Sequence, residues 1–225
     1  KPMKVVTPNY ALRQEELIKI DKVKKRITNQ TINHPLGIPQ YYAVLYYGKS
    51  FNGDQLHSEQ YRKRWDRNEV RRTHKFIGNL IHKCFGDEVP LWWFINRHDD
   101  YEDEEGNIKK GSFHSDLYIG EIKDEVIKDP KPQLMPLFYA EDNSGFPIDS
   151  RPVGIEGKKL LLLEACIRQS KWVGKNPNSL KISLVPPEEV EQTLHYGLKD
   201  LTSLDELEKV VDWENSNFYT PHKEN

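Results

Sequence analysis

The residues best suited to chemistry lie in two places. One is the stretch RHDDYEDEEGNIKKGSFHSDLYIG, which holds His98, His114 and Asp116; the other is YGLKD, which holds Tyr196 and Lys199. If FHSDLYI is a strand, its side chains alternate, so His114, Asp116 and Tyr118 share one face while Phe113, Ser115, Leu117 and Ile119 share the other. The preceding run LWWFINRH then places Trp92, Phe94, Asn96 and His98 on one face of a neighbouring strand. The acidic loop between them makes the two strands an antiparallel hairpin, which brings His98 beside His114 and Asp116. Two imidazoles and a carboxylate on an open sheet face form a divalent-metal site, and Asp99, Asp100 or Glu102 can add an oxygen ligand. This mixed nitrogen and oxygen set suits Mn²⁺ best and Mg²⁺ next, because Mg²⁺ accepts imidazole poorly.

In the last helical stretch, Val190, Leu194, Leu198 and Leu201 recur at i, i+4, i+8 and i+11, the spacing of a core stripe. Tyr196 falls about 200° around the helix from Leu194, outside that stripe, with Lys199 one turn further along the same side. A phenol beside a cation that stabilises its phenolate is the pairing a tyrosine nucleophile requires.

These groups need elements to position them. YYAVLYY (41–47), LWWFINRH (91–98), SFHSDLYIG (112–120) and LKISLV (180–185) are dense in aromatic and β-branched residues and read as strands. A helix is expected from Ser58 to about Cys84. Its apolar face would be Tyr61, Trp65, Phe76, Ile77, Leu80, Ile81 and Cys84, and its opposite face the basic set Arg62, Lys63, Arg67, Arg71 and Lys75. Residues 158–172 read as a second helix, and Pro186 and Pro187 open a third. Residues 121–157, rich in Pro, Asp and Gly, read as an insertion. The order strand, helix, strand, strand, helix, strand implies an α+β domain over residues 39–201. It would be a split βαβ architecture with an antiparallel sheet of four or five strands, helices on one face and the other face free for chemistry. Residues 1–38 read as a basic helical arm (Lys19, Lys22, Lys24, Lys25, Arg26), and residues 202–225 as a C-terminal helix and tail.

Composition bounds the function. Among 225 residues, 33 Lys and Arg against 35 Asp and Glu leave a net charge of −2, which excludes a wholly basic nucleic-acid coat and leaves local basic patches. No apolar run approaches the ~20 residues that cross a bilayer, so a soluble, intracellular protein with no membrane partner is expected. Cys84 and Cys166 have no metal-type neighbours in sequence, which fits neither a disulfide framework nor a zinc finger.

FHSDLYIG resembles the HUH motif of rolling-circle replication initiators, and YGLKD is similar to their YxxK motif, down to the aspartate of geminivirus-type members. The stretch from Arg97 to Ile119 is also similar to the segment of streptococcal-type plasmid initiators in which an upstream histidine is a metal ligand. The motifs stand in the family's order. The resemblance implies a Rep-type endonuclease domain of RRM-like fold, with metal on His98, His114 and Asp116, nucleophile Tyr196 and assisting Lys199. It further implies nicking and joining of single-stranded origin DNA through a 5′-phosphotyrosine, with phosphate contacts from the basic helix face. It places the protein in the cytoplasm of a prokaryotic host, or in a nucleus if viral, and makes a homo-oligomer possible. The chain holds no GxxxxGK[ST], so a host helicase and polymerase would be partners. Two positions depart from the motif: Asp116 replaces its second histidine, and Ser115 its bulky hydrophobe. Two other readings share the elements: a non-catalytic RRM-like nucleic-acid-binding module stacking bases on Tyr41, Tyr47 and Trp92, and a mobilisation relaxase.

Overall fold

Four aromatic-rich and β-branched segments form the strands β1 (Tyr41–Tyr46), β2 (Leu91–Arg97), β3 (Phe113–Ile119) and β4 (Leu180–Leu184). The computed structural model describes residues 10–47, 66–97, 101–102, 105–109, 113–128, 154–170, 173 and 179–218. Each neighbouring pair is antiparallel, and the spatial order is β2-β3-β1-β4. The chain therefore leaves β1, crosses to β2, and returns to fill the gap with β3, which is the split βαβ topology expected of an α+β domain.

Two helices supply the crossovers, α2 (Arg67–Phe85) and α3 (Gly154–Ile167). Both pack on one face, where Val70, Ile77, Ile81, Leu163, Cys166 and Ile167 meet Leu45, Trp93, Ile95, Leu117 and Ile119. Helix α2 is capped by Asp66, whose carboxylate accepts from the Glu69 amide at 2.9 Å; Ser58, the expected cap, lies outside the described residues. Of the expected stripe, Ile77, Ile81 and Cys84 are buried and Leu80 is half-buried, Phe76 departs from it, and Tyr61 and Trp65 lie outside the described residues. Thr73 and His74 are buried, whereas Phe76 is 51% exposed, because the 3.6-residue period set by Val70, Ile77 and Ile81 turns Phe76 away from the sheet.

The second face is not free. Helices α1 (Tyr10–Ile32) and α4 (Val190–Gly197) and the C-terminal segment cover it, and Trp92, Phe94 and Tyr118 are buried there with Ile20, Ile27, Leu194, Leu198 and Val211. The sheet is thus a middle layer, because this face carries three large aromatic rings that water would otherwise meet. Residues 1–38 include a helix docked by Ile20 and Ile27, with Lys19, Lys22, Lys25 and Arg26 left exposed. The segment after 201 holds a short helix, Leu207–Val210, and then lies along the outer edge of β2. Asp212 and Asn217 donate their amides to the carbonyls of Trp93 (3.1 Å) and Leu91 (2.7 Å). Ser216 Oγ accepts from the Trp93 amide at 2.8 Å. The edge strand is thereby covered.

The same segment anchors a buried polar chain. Tyr47 donates to Ser115 Oγ at 2.9 Å, Ser115 to His74 Nε2 at 2.6 Å, and His74 Nδ1–H to Asp212 Oδ2 at 2.6 Å. Because a carboxylate can only accept, Nδ1 carries a proton, and burial disfavours a second one on Nε2, so the imidazole is held neutral. Burial holds the His74 pKa below its ordinary value, with the Asp212 hydrogen bond opposing. Burial acts to raise Asp212, but hydrogen bonds from His74 and Asn215 and the charge of Arg71 outweigh it and hold the carboxyl low. Both shifts have one sign. The unfolded chain takes up protons that the folded chain resists, so this stabilisation is complete above the unfolded histidine value near ~6.5 and is lost as pH falls below it. The melting temperature should therefore drop between about pH 7 and pH 5. His74→Gln should cost about 2 kcal/mol at neutral pH and flatten that slope. An unchanged slope in the variant would assign the acid sensitivity elsewhere.

Candidate active site

Pro186 and Pro187 stop β4 and lead through a 3₁₀ turn, Pro187–Glu189, into α4. The stripe Val190, Leu194, Leu198 and Leu201 is buried, as its spacing required. Tyr118 of β3 donates its hydroxyl to the Thr193 carbonyl at 2.6 Å, which clamps the helix to the central strand. Tyr196 is then left 54% exposed. Lys199 Nζ donates to the Tyr196 hydroxyl at 3.2 Å and stands 4.4 Å from its ring centre, so the phenol and the cation meet as expected.

Gly197 shows how close the approach is. A Cβ there would stand 2.8 Å from the Tyr118 hydroxyl and 3.1 Å from Phe94 Cδ2, both fixed inside the core. Its carbonyl accepts from Asn96 Nδ2 at 2.9 Å, and the same amide donates to Asp116 Oδ2. Asp200, the last residue of YGLKD, accepts from the Arg97 amide at 2.7 Å and pins the end of the motif to β2.

Asp116 is fully buried and also accepts from the Tyr42 hydroxyl. Burial pushes its carboxyl above the usual range, against the pull of the Tyr42 and Asn96 hydrogen bonds and the charge of Lys199. His114 Nε2 lies 3.9 Å from Asp116 Oδ2. The register sets Asn96 opposite His114 and Phe94 opposite Asp116. The neighbour across from His114 is thus an asparagine. His98 lies outside the described residues, as do Asp99, Asp100, Arg62 and Lys63.

The donors suit a hard divalent ion. Asn96, across from His114 in the register, turns its Nδ2 to Asp116, and its Oδ1 is buried and accepts no hydrogen bond. A carboxylate has about four lone-pair positions, and Tyr42 and Asn96 occupy only two of them. Among the described residues no three of His, Cys, Asp and Glu stand close enough to hold a metal, so His114 and Asp116 need Asn96 or a residue outside that set.

The basic face of α2 is elsewhere. Arg67 Nε donates to the Lys209 carbonyl at 3.3 Å, and Arg71 donates to the carbonyl of Glu208. Both guanidiniums tie α2 to the C-terminal segment, while Lys75 is exposed. Helix α2 also packs on the sheet face opposite to α4. Asn96 and Tyr42 had no motif to mark them; their alternation with Phe94 and with Val44 was the one available signal. No protein-family model, curated protein or solved structure matches this chain.

The tight seat of Gly197 gives a direct check. Gly197→Ala should lower stability by about 2 kcal/mol, read as a smaller urea midpoint at unchanged slope. A neutral result would mean that α4 is held more loosely than the Tyr118 and Phe94 contacts require.

Proposed function

We propose that the protein nicks and rejoins single-stranded DNA through Tyr196, as an initiator of rolling-circle replication. The observation that carries this reading is the Asn96 amide, which joins the Asp116 carboxylate to the Gly197 carbonyl and so couples the histidine-acid strand to the residue after Tyr196. The exposed phenol and its lysine are held beside a buried acid and imidazole, the two halves that a metal-assisted tyrosine transesterification needs.

The Tyr196 oxygen attacks the scissile phosphorus, the bond from phosphorus to the 3′-oxygen breaks, and a 5′-phosphotyrosine forms. The phenol proton is lost and the departing 3′-oxygen gains one, so the step is balanced and needs no nucleotide cofactor. Lys199, already donating to the phenol oxygen, stabilises the phenolate. His114, Asp116 and Asn96, with His98 as a further ligand, would hold Mn²⁺ or Mg²⁺, which supplies positive charge to the scissile phosphate. The exposed cations of α1 lie on the same sheet face as α4 and are suited to phosphate, as is Lys75 from the other side. Origin DNA is the proposed substrate, and a host helicase and polymerase are the proposed partners. Among the described residues no helix is long and apolar enough to cross a membrane.

One observation favours a second reading. Both Asp116 oxygens already hold hydrogen bonds, as a purely structural carboxylate would, and the domain would then be a binding module without chemistry, though not one that stacks bases on Tyr41, Tyr47 and Trp92, which are buried. Incubation with single-stranded origin DNA and Mn²⁺, followed by denaturing electrophoresis, separates the two. A covalent band is expected for the wild type and is expected to vanish in Tyr196→Phe, while binding persists. A band that survives in Tyr196→Phe moves the nucleophile to another tyrosine, and no band in the wild type leaves the binding module.

Metal occupancy is checked apart from cleavage. Titration calorimetry should detect Mn²⁺ binding in the wild type, weakened by tenfold or more in His114→Ala and in Asp116→Ala. Equal affinity in all three would place the ion away from this strand.

A further inference from the structure

The cleft of about 490 Å³ beside Tyr196 has no part in the chemistry above. Tyr42, Ser183 and Leu184 from the sheet line one side, and Glu189, Gln192 and Tyr196 from the start and outer face of α4 line the other. Its size falls in the range of small-ligand sites. Leu184 is 44% and Tyr196 54% exposed, so apolar and aromatic surface is open at its mouth. Tyr42 has one ring face occupied by Tyr118, with centroids 5.0 Å apart, and is held by its hydrogen bond to Asp116. It is therefore a rigid wall.

The polar groups on this surface are neutral donor-acceptors and one anion. Gln192 presents an amide and Ser183 a hydroxyl, which both donate and accept, and Glu189 presents a carboxylate. No cation is among the lining residues. A phosphate is thus unsuited to the cleft, whereas Lys199 stands at the phenol oxygen of Tyr196 on the cleft's border. A nucleotide has this division of character: a neutral, planar, hydrogen-bonding base joined to an anionic phosphate. We propose that the cleft seats one base of the single strand next to the scissile phosphate, and that Glu189 and Gln192 select a base carrying an exocyclic amine. Glu189 accepts from the amine of cytosine, adenine or guanine, whereas thymine offers only its N3–H, flanked on both sides by carbonyl oxygens that repel the carboxylate. This inference rests on the nucleic-acid reading of the site and adds to it a specificity determinant.

The test is selection of bound strands from randomised single-stranded DNA by the full chain in chelator, where cleavage does not interfere, followed by sequencing. The wild type should deplete thymine about tenfold at one position, and Glu189→Gln and Gln192→Ala should each flatten the preference at that position alone. Both side chains are exposed, so folding should survive, and melting curves verify it. Bound strands with no positional preference, or a preference unchanged in both variants, would overturn the base pocket. Covalent adduct formation by the wild type with Mn²⁺ is scored separately. Adduct without a thymine effect removes the pocket alone, and a thymine effect without adduct keeps the pocket while removing the nuclease chemistry.

Discussion

Strand β3 is buried on both faces, and the rest of the structure answers to that constraint. A strand inside a sheet between two layers has no water to satisfy its polar side chains, yet FHSDLYI places Ser115, Asp116 and Tyr118 there. Each is satisfied by a different element. Ser115 faces α2 and joins Tyr47 and His74. Asp116 faces the opposite way and takes Tyr42 from β1 and Asn96 from β2. Tyr118 reaches the α4 backbone at Thr193. These bonds fix the position of α4 on one face and of α2 on the other, and His74 ties α2 to the C-terminal segment at Asp212. The polar residues of β3 set where the layers dock, because any other docking would leave a buried donor or acceptor unpaired at ~1–3 kcal/mol each.

Much of this was legible where the signal is local. The four strands follow from runs of aromatic and β-branched residues, and the α4 core stripe from its spacing. The division of β3 into two faces follows from alternation alone. The helix on 67–85 was legible as an element and at Ile77, Ile81 and Cys84, but not at Thr73, His74 and Phe76, because the first two look polar in sequence while Phe76 looks like core. His74 is a core residue only because Asp212, 138 positions away, receives its proton. Asn96 failed to stand out for a similar reason. An isolated asparagine carries no motif, and its role appears only when the hairpin register sets it across from His114 while α4 delivers Gly197 to its amide. The covering of the second face was likewise illegible, since α1 and the C-terminal segment come from opposite ends of the chain.

The two edges of the sheet are treated differently, and this gives the site a direction. At β2 the outer edge is taken by main-chain bonds from Asp212 and Asn217, a covering that leaves no ladder for another chain. At β4 no described strand pairs on the outer side. That open edge also carries Ser183 and Leu184 at the cleft, and the exposed Lys181, whose ammonium stands 5.7 Å from the ring of Tyr46. Tyr46 in turn stacks near His114, with centroids 6.1 Å apart. The surface over β4 therefore sets Lys181, Tyr46 and His114 in a row from the edge inward. Along the same edge, the Glu189 carboxylate stands at the cleft while the Lys199 ammonium stands at the phenol. In a chain whose net charge is −2, attraction has to come from such local placement, since there is no global field to supply it. Among the described residues the edge at β2 is thus covered, and the edge at β4, on the side where Tyr196 is exposed, is not.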